Sequence, residues 1–327
     1  MKKILLVFFS LLVACCSYAT QVIEEEVYAY RDTFCIYGKM FRPESQERLP
    51  VVICSHSSSL THEAMKGYAE KLAEAGYAAY CFDFCGGSQD SRSSGSTDSM
   101  TVFTEVEDLR AVVAMVKQLD YVDPSRVVLL GSSQGGLVSA LLAEQLQSAV
   151  ASMVLFYPAF NIPEMVNKFA GMGNWGSGGL GGMMSMSETF VNTIKDYDVW
   201  SNIGTYSCPV CIVHGTSDFI VPISNSEKAV QLYPHAELYP IQGANHGFNE
   251  ANLGGMGSIM GGQTDYDDEV MPIIINFLND NVILGIYQLP GDMKNRSSQI
   301  YNIRGQAISA PRRGEVYIYQ GRKMVGK

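Results

Sequence analysis

Several features are scarce in this chain, and each scarcity excludes something. No apolar run beyond the first residues approaches the length that a bilayer requires, which argues against a membrane-spanning protein. Positive charge is in deficit, with 23 Lys and Arg against 33 Asp and Glu and a net charge of −10. Such a balance argues against nucleic acid as a partner and favours neutral or cationic small substrates. Histidine is rare, at five residues, and the pair Cys208 and Cys211 in "CPVC" has no second ligand pair at a zinc-like spacing. No metal is expected, and because "CPVC" enters a strand rather than opening a helix, a redox role is not expected either. What the chain does have is an ordinary globular composition, 47% hydrophobic and 17% charged over 327 residues. That excludes wholesale disorder and allows one large domain or two small ones around a sizeable core.

The first residues, "MKKILLVFFSLLVACCSYATQ", read as a secretory signal: Lys2 and Lys3, an apolar run from Ile4 to Val13, then small residues. Two cleavage readings compete. "SYA" before Thr20 suits ordinary signal peptidase, whereas "LVAC" resembles a lipoprotein box that would place a lipid anchor on Cys15. The first is preferred because cleavage before Cys15 leaves an unusually short signal. Both imply export. Three segments follow: a signal at 1–19, a catalytic body at 20–282 and a tail at 283–327. The tail is basic, with eight Lys and Arg against Asp292 and Glu315, so the body is more acidic than the whole. Export permits disulfides among Cys35, Cys54, Cys81, Cys85, Cys208 and Cys211. However, Cys54, Cys81 and Cys211 fall in apolar, strand-like runs, where cysteine is usually a small buried hydrophobe.

Along the body, short apolar strands alternate with helices. Alternation from Val22 to Met40 predicts one or two edge strands; "LPVVICSH" is a buried strand, "HEAMKGYAEKLAEAG" a helix and "YAAYCFDFCG" a strand. A long amphipathic helix, "TVFTEVEDLRAVVAMVKQL", precedes the strand "RVVLLG", the helix "GLVSALLAEQL" and the strand "VASMVLFYPA". Later come "PVCIVHG", "EKAVQLYP", "AELYPIQG" and "VMPIIINFLND". This order predicts an α/β fold with a mostly parallel sheet covered by helices on both faces. In such sheets, sites form at the carboxyl ends of the strands.

Three strand ends stand out. Arg126–Leu130 ends in "GSSQG" with Ser133, Pro209–Val213 ends in "HGTSDFIVP" with Asp218, and Ala236–Tyr239 ends in "IQGANHGF" with His246. A serine hydroxyl becomes a nucleophile when a base, usually an imidazole oriented by a carboxylate, removes its proton. A G-x-S-x-G turn between strand and helix exposes the serine at a strained corner. Its glycines remove side chains that would clash, and the following N–H, here that of Gln134, faces the developing oxyanion. The five-residue pattern alone is weak; its weight comes from the strand–turn–helix context and from Asp and His following in the required order. Ser132, one place before the apex, is the rival nucleophile. His214 is read as support for the Asp218 loop, with the base role as its alternative.

"GSSQGG", "VHGTSDFIVP" and "GANHGF" together resemble the α/β-hydrolase superfamily, in particular its bacterial feruloyl and cinnamoyl esterases, and "FDFCGGSQDSRSSGSTDSMTVFTEVEDLRAVV" is similar to the same branch. The resemblance runs from about Val22 to Asn281. It implies an α/β-hydrolase fold with a cap insertion near 160–200, and acyl transfer through Ser133, His246 and Asp218 without a cofactor. It implies an oxyanion hole from the N–H groups of Gln134 and Ser58. The second donor lies in "HSSS", where Ser57 replaces a glycine of the family pattern, and His56 is expected to brace that loop.

Two glycine- and methionine-rich stretches, "NIPEMVNKFAGMGNWGSGGLGGMMSM" and "NLGGMGSIMGGQ", are expected to flank the pocket mouth, with Trp175, Phe160 and Phe169 as candidates to hold an aromatic acid. The alternative is that both are long surface loops. The tail, with a "QG" turn in "VYIYQGRKMV", resembles C-terminal sorting signals on exported proteins of Gram-negative bacteria. The expected function is therefore an exported esterase, periplasmic, on the cell surface or extracellular. It would act on small hydroxycinnamoyl esters or feruloylated oligosaccharides of plant cell walls. A short-chain acyl or acetyl (xylan) esterase is the alternative, followed by an acyl-peptidase or a non-catalytic binding protein.

Overall fold

The computed structural model describes residues 21–170, 186–249 and 265–283, together with four short strands nearer the C-terminus. Its first element is the edge hairpin expected from alternation, β1 (Val22–Arg31) and β2 (Phe34–Pro43), paired antiparallel from Val22↔Pro43 to Arg31↔Phe34. Then follow β3 (Leu49–Ser55), α1 (Glu63–Glu74), β4 (Ala78–Phe82), α2 (Val102–Val116), β5 (Val122–Ser132) and α3 (Gln134–Leu146). The second half adds β6 (Ser152–Phe156), α4 (Ile162–Ala170), α5 (Glu188–Ile194), β7 (Val210–Gly215), α6 (Ser224–Leu232), β8 (Ala236–Ile241) and α7 (Asp267–Leu278).

The eight strands form one sheet in the order β1-β2-β4-β3-β5-β6-β7-β8. Pairing is antiparallel up to β4 and parallel from β4 through β8. Every residue of β3, β4, β6 and β7 is buried, as a sheet covered on both faces requires. One face packs a core that includes Val102, Leu109 and Val112 of α2 with Leu137, Val138 and Leu141 of α3. The opposite face packs Met65, Tyr68 and Leu72 of α1 with Val270, Ile274 and Leu278 of α7. Helix α3 is buried on all sides from Gln134 to Ala143, which suits a helix under the nucleophile rather than on the surface.

Two elements differ from the sequence expectation. Strand β5 starts at Val122, ahead of Arg126, because the chain passes Pro124 through a register shift opposite Leu49 and Val51. Proline is tolerated in a strand where the ladder is interrupted in this way. The stretch after β6, expected as loop, opens as α4, with Pro163 and Glu164 in its first turn and Ile162 and Val166 buried one turn apart.

Near the C-terminus, β9 (Ile300–Asn302), β10 (Ala307–Ile308), β11 (Val316–Tyr319) and β12 (Arg322–Val325) form a separate antiparallel sheet, ordered β10-β9-β11-β12. Among the described residues, no helix is long and apolar enough to cross a membrane. All six cysteines there are free thiols.

Candidate active site

The strand–turn–helix junction after β5 sets Ser133 at φ 51° and ψ −115°, a left-handed conformation uncommon for a residue with a side chain. The surroundings hold it there. The Ser133 N–H donates to the Phe156 carbonyl at 2.9 Å, and the Ser133 carbonyl accepts from the N–H groups of Gly136 (3.0 Å), Leu137 (3.2 Å) and Ala159 (2.9 Å). Close approach explains the flanking glycines. A Cβ on Gly131 would lie 2.2 Å from the Gly135 carbonyl oxygen, and one on Gly135 would lie 2.5 Å from the carbonyl oxygens of both Ser55 and His56. Gly135→Ala is therefore expected to destabilise the fold by about 2 kcal/mol or more, the cost of overpacking against backbone that cannot retreat. Urea titration checks this, and an unchanged midpoint would show that the turn has room to spare.

Ser133, His246 and Asp218, on turns after three different strands, meet in one hydrogen-bonded chain. The Ser133 hydroxyl lies 2.9 Å from His246 Nε2, and His246 Nδ1 lies 2.8 Å from Asp218 Oδ2. With Nδ1–H donating to the carboxylate, Nε2 is the acceptor for the serine proton. The other carboxylate oxygen, Asp218 Oδ1, accepts from the N–H groups of Ile220 and Val221, both at 2.9 Å. Burial alone would raise the Asp218 pKa. The charge of His246 and hydrogen bonds from His214 and His246 outweigh it and hold the carboxyl well below its usual range. Asp218 thus stays ionised across the working pH range and can stabilise an imidazolium on His246.

His214 stands behind this pair, away from Ser133. Its Nε2–H donates to the Val221 carbonyl at 2.8 Å and lies 3.2 Å from Asp218 Oδ2, while Nδ1 lies 2.6 Å from the Ser226 hydroxyl. Both ring nitrogens are engaged, which suits a brace for the Asp218 loop. Ser132 points into the protein, with its hydroxyl 2.9 Å from that of Ser57 and out of the His246 chain.

On the opposite side, the loop after β3 turns through Ser57–Leu60, closed by the Leu60 N–H on the Ser57 carbonyl at 3.2 Å. The left-handed residue of this turn is Ser59, at φ 60°; Ser57 needs no such conformation, so the missing glycine does not strain position 57. His56 braces the loop. Its Nδ1 lies 2.8 Å from the Ser57 carbonyl and its Nε2 accepts the Phe84 N–H at 3.2 Å, an arrangement that fixes a neutral ring. Burial lowers its pKa in keeping. Ser58 lies two residues after His56, and Gln134 is the first residue of α3, where a backbone N–H has no carbonyl four residues back within the helix.

Two contributors were not singled out by sequence reasoning. The Tyr157 ring stands edge-on to His246 at 4.7 Å, from a residue at φ 36°, and confines the imidazole. Glu105 of α2, 1% exposed, accepts from the Gln134 side-chain amide at 2.8 Å. Its signal was present: Glu105 falls on the apolar stripe of α2, between Val102 and Val106.

The structure places Phe160 in the core rather than at a pocket mouth. It is fully buried, with its ring edge-on to Trp200 at 5.6 Å, as part of the core that includes α2 and α3. Trp175, the side chain of Phe169 and the stretch "NLGGMGSIMGGQ" lie outside the described residues. Among the described residues, no cluster of His, Cys, Asp and Glu could hold a metal. The arrangement can deprotonate a serine and stabilise the resulting imidazolium.

Comparison with known proteins gives three kinds of likeness. The family model described as "Serine aminopeptidase, S33" matches residues 46–189. The quorum-quenching protein AidA of Acinetobacter baumannii (strain MDR-ZJ06) is 26% identical over 136 residues, which cover 39% of this chain and 42% of that protein. The chain therefore matches less than half the length of that relative. Among solved structures, Est1E from Butyrivibrio proteoclasticus, known also with ferulic acid bound, superposes with a TM-score of 0.64 at 22% identity, covering 79% of this chain and 99% of Est1E. DcsB in complex with its substrate analogue superposes at 0.61 and 21% identity, covering 80% and 99%. The hydrolase GrgF from Penicillium sp. sh18 does so at 0.62 and 17%, over the same shares.

Proposed function

Because this chain has the α/β-hydrolase fold, we propose that it is an exported serine esterase cleaving hydroxycinnamoyl esters, of the kind that decorate plant cell-wall polysaccharide. The observation that carries the esterase reading is the hydrogen-bonded chain Ser133–His246–Asp218, set beside the N-terminus of α3. The substrate class is supported by the likeness to Est1E, a protein that binds ferulic acid, over nearly the whole of its length. Export is supported by the signal-like first residues.

In the mechanism, Ser133 Oγ attacks the ester carbonyl while His246 Nε2 takes its proton. The carbonyl oxygen becomes an oxyanion held by the N–H groups of Gln134 and Ser58, and Asp218 stabilises the imidazolium. Collapse breaks the ester C–O bond. His246 gives its proton to the departing alcohol, which leaves an acyl group on Ser133. Water then enters, His246 takes its proton, and the acid leaves as Ser133 recovers its own.

The test is a comparison of kcat/KM on methyl ferulate, an acetylated sugar and aliphatic nitrophenyl esters. Methyl ferulate is expected to lead by at least about tenfold, the scale on which an apolar pocket discriminates. A strong preference for the acetylated sugar would instead assign the protein to the short-acyl esterases and leave the mechanism intact. Turnover of peptides alone would point to the aminopeptidase chemistry named by the matching family model.

A further inference from the structure

Two polar side chains beside the site take no part in the chemistry above. Ser57 is 7% exposed and Ser132 is 1% exposed, and their hydroxyls meet at 2.9 Å. Ser132 Oγ also lies 3.5 Å from the Ser55 carbonyl, which can take its proton and leave the oxygen free to accept from Ser57. Each serine adjoins a backbone group of the site: Ser57 precedes Ser58, and Ser132 lies two residues before Gln134. The bond therefore joins the two chain segments that carry the two oxyanion donors.

The same segments also touch at Gly135, packed so closely on the Ser55 and His56 carbonyls that no Cβ fits. That contact is repulsive at short range. It stops the loop after β3 from closing onto the elbow, and the pairing of β3 with β5 as far as Ser55↔Gly131 holds the two strand ends together. Past the end of that pairing, the Ser57–Ser132 hydrogen bond ties the two segments directly and resists their separation. We propose that the Ser57–Ser132 hydrogen bond is a positioning device that fixes the separation of the Ser58 and Gln134 N–H groups and so keeps the oxyanion hole assembled before substrate arrives. This rests on the reading of the site as one for acyl transfer. Both serines are buried and stand outside the Ser133–His246–Asp218 chain, so the bond should matter more as charge builds on the carbonyl oxygen than during ground-state binding.

The test uses the full chain and a chromogenic acetate ester, with Ser57→Ala, Ser132→Ala, the double variant and Ser57→Thr, and with Ser133→Ala as a reference. Each single alanine variant is expected to lower kcat about tenfold with KM within twofold. The double variant should be no worse than the poorer single one, because both remove the same bond. Ser57→Thr, which keeps a hydroxyl, should recover most of the loss. Affinity for an alkylboronic acid, whose tetrahedral adduct places an oxygen in the hole, should fall in step with kcat/KM. A purely structural role would instead lower the melting temperature and leave boronate affinity of the folded protein unchanged. The proposal is overturned if both single variants keep wild-type kcat while Ser133→Ala is inactive, or if the two losses multiply in the double variant. Activity surviving in Ser133→Ala would overturn the acyl-transfer reading itself.

Discussion

Ser133→Ala should lower kcat on any ester that the wild-type protein hydrolyses by about 10⁴-fold or more, with little change in stability. The size follows from the site acting as a unit: without Oγ there is nothing for His246 to activate, and only the oxyanion donors and binding remain. The small stability change follows from the local backbone. Serine already pays for a φ of 51° at this position, and alanine suffers the same strain. The backbone bonds to Phe156, Gly136, Leu137 and Ala159 do not use the side chain. Steady-state rates and a melting curve on one preparation decide it. A variant that retained a tenth of wild-type activity would move the nucleophile elsewhere, and Ser132 would be the next residue to replace.

The second large effect concerns Glu105 and is read in stability. Burial pushes its carboxyl up from 4.5 to about 8; the hydrogen bond from Gln134 acts in the other direction, and the nearby Asp108 adds to the rise. Asp108 is in turn held by Arg31 of β1 at 2.6 Å. Below pH 4.5 both the folded and the unfolded chain keep the Glu105 proton. Between there and about pH 8 only the folded chain keeps it, so stability falls as pH rises, and above about pH 8 the loss is complete. At about 1.4 kcal/mol per pH unit, the window amounts to roughly 5 kcal/mol. Glu105→Gln cannot ionise and retains groups that can bond the Gln134 amide. The difference in unfolding free energy, variant minus wild type, should therefore grow from pH 4.5 and level off above pH 8. Urea titrations across that range measure it directly. A difference that stays flat with pH would mean that Glu105 is solvated or paired in a way that the structure does not contain.

The parts of this protein that could be read from sequence are those with local causes. Ser133, Asp218 and His246 each follow an apolar run that stops at small or glycine-rich residues, and a parallel sheet puts all such ends on one edge. The β1–β2 hairpin announced itself by alternation. Strand order did not: nothing in "YAAYCF" says that β4 lies between β2 and β3, because pairing is decided by crossovers and not by composition. Likewise, Glu105 could be placed on the buried stripe of α2, but its partner Gln134 lies 29 residues away. Phe160 was expected to hold an aromatic acid because it borders the stretch that the family resemblance places over the site. Distance along the chain carries no direction, and the turn after β6 sends that ring inward. The loop after β3 is a finer case, since the position requiring a left-handed backbone is Ser59, two places beyond the substitution that drew attention.

The hydrogen bond from Ser133 to His246 spans 113 residues of chain, from the middle of the sheet to the turn beyond its far edge strand. During synthesis, β5 and α3 exist well before β8 does. Through that interval the serine is present but has no base, and its hydroxyl is as unreactive as any other. The order of elements along the chain thus sets a delay: the Ser133–His246 hydrogen bond can form only after the last strand of the large sheet has been made.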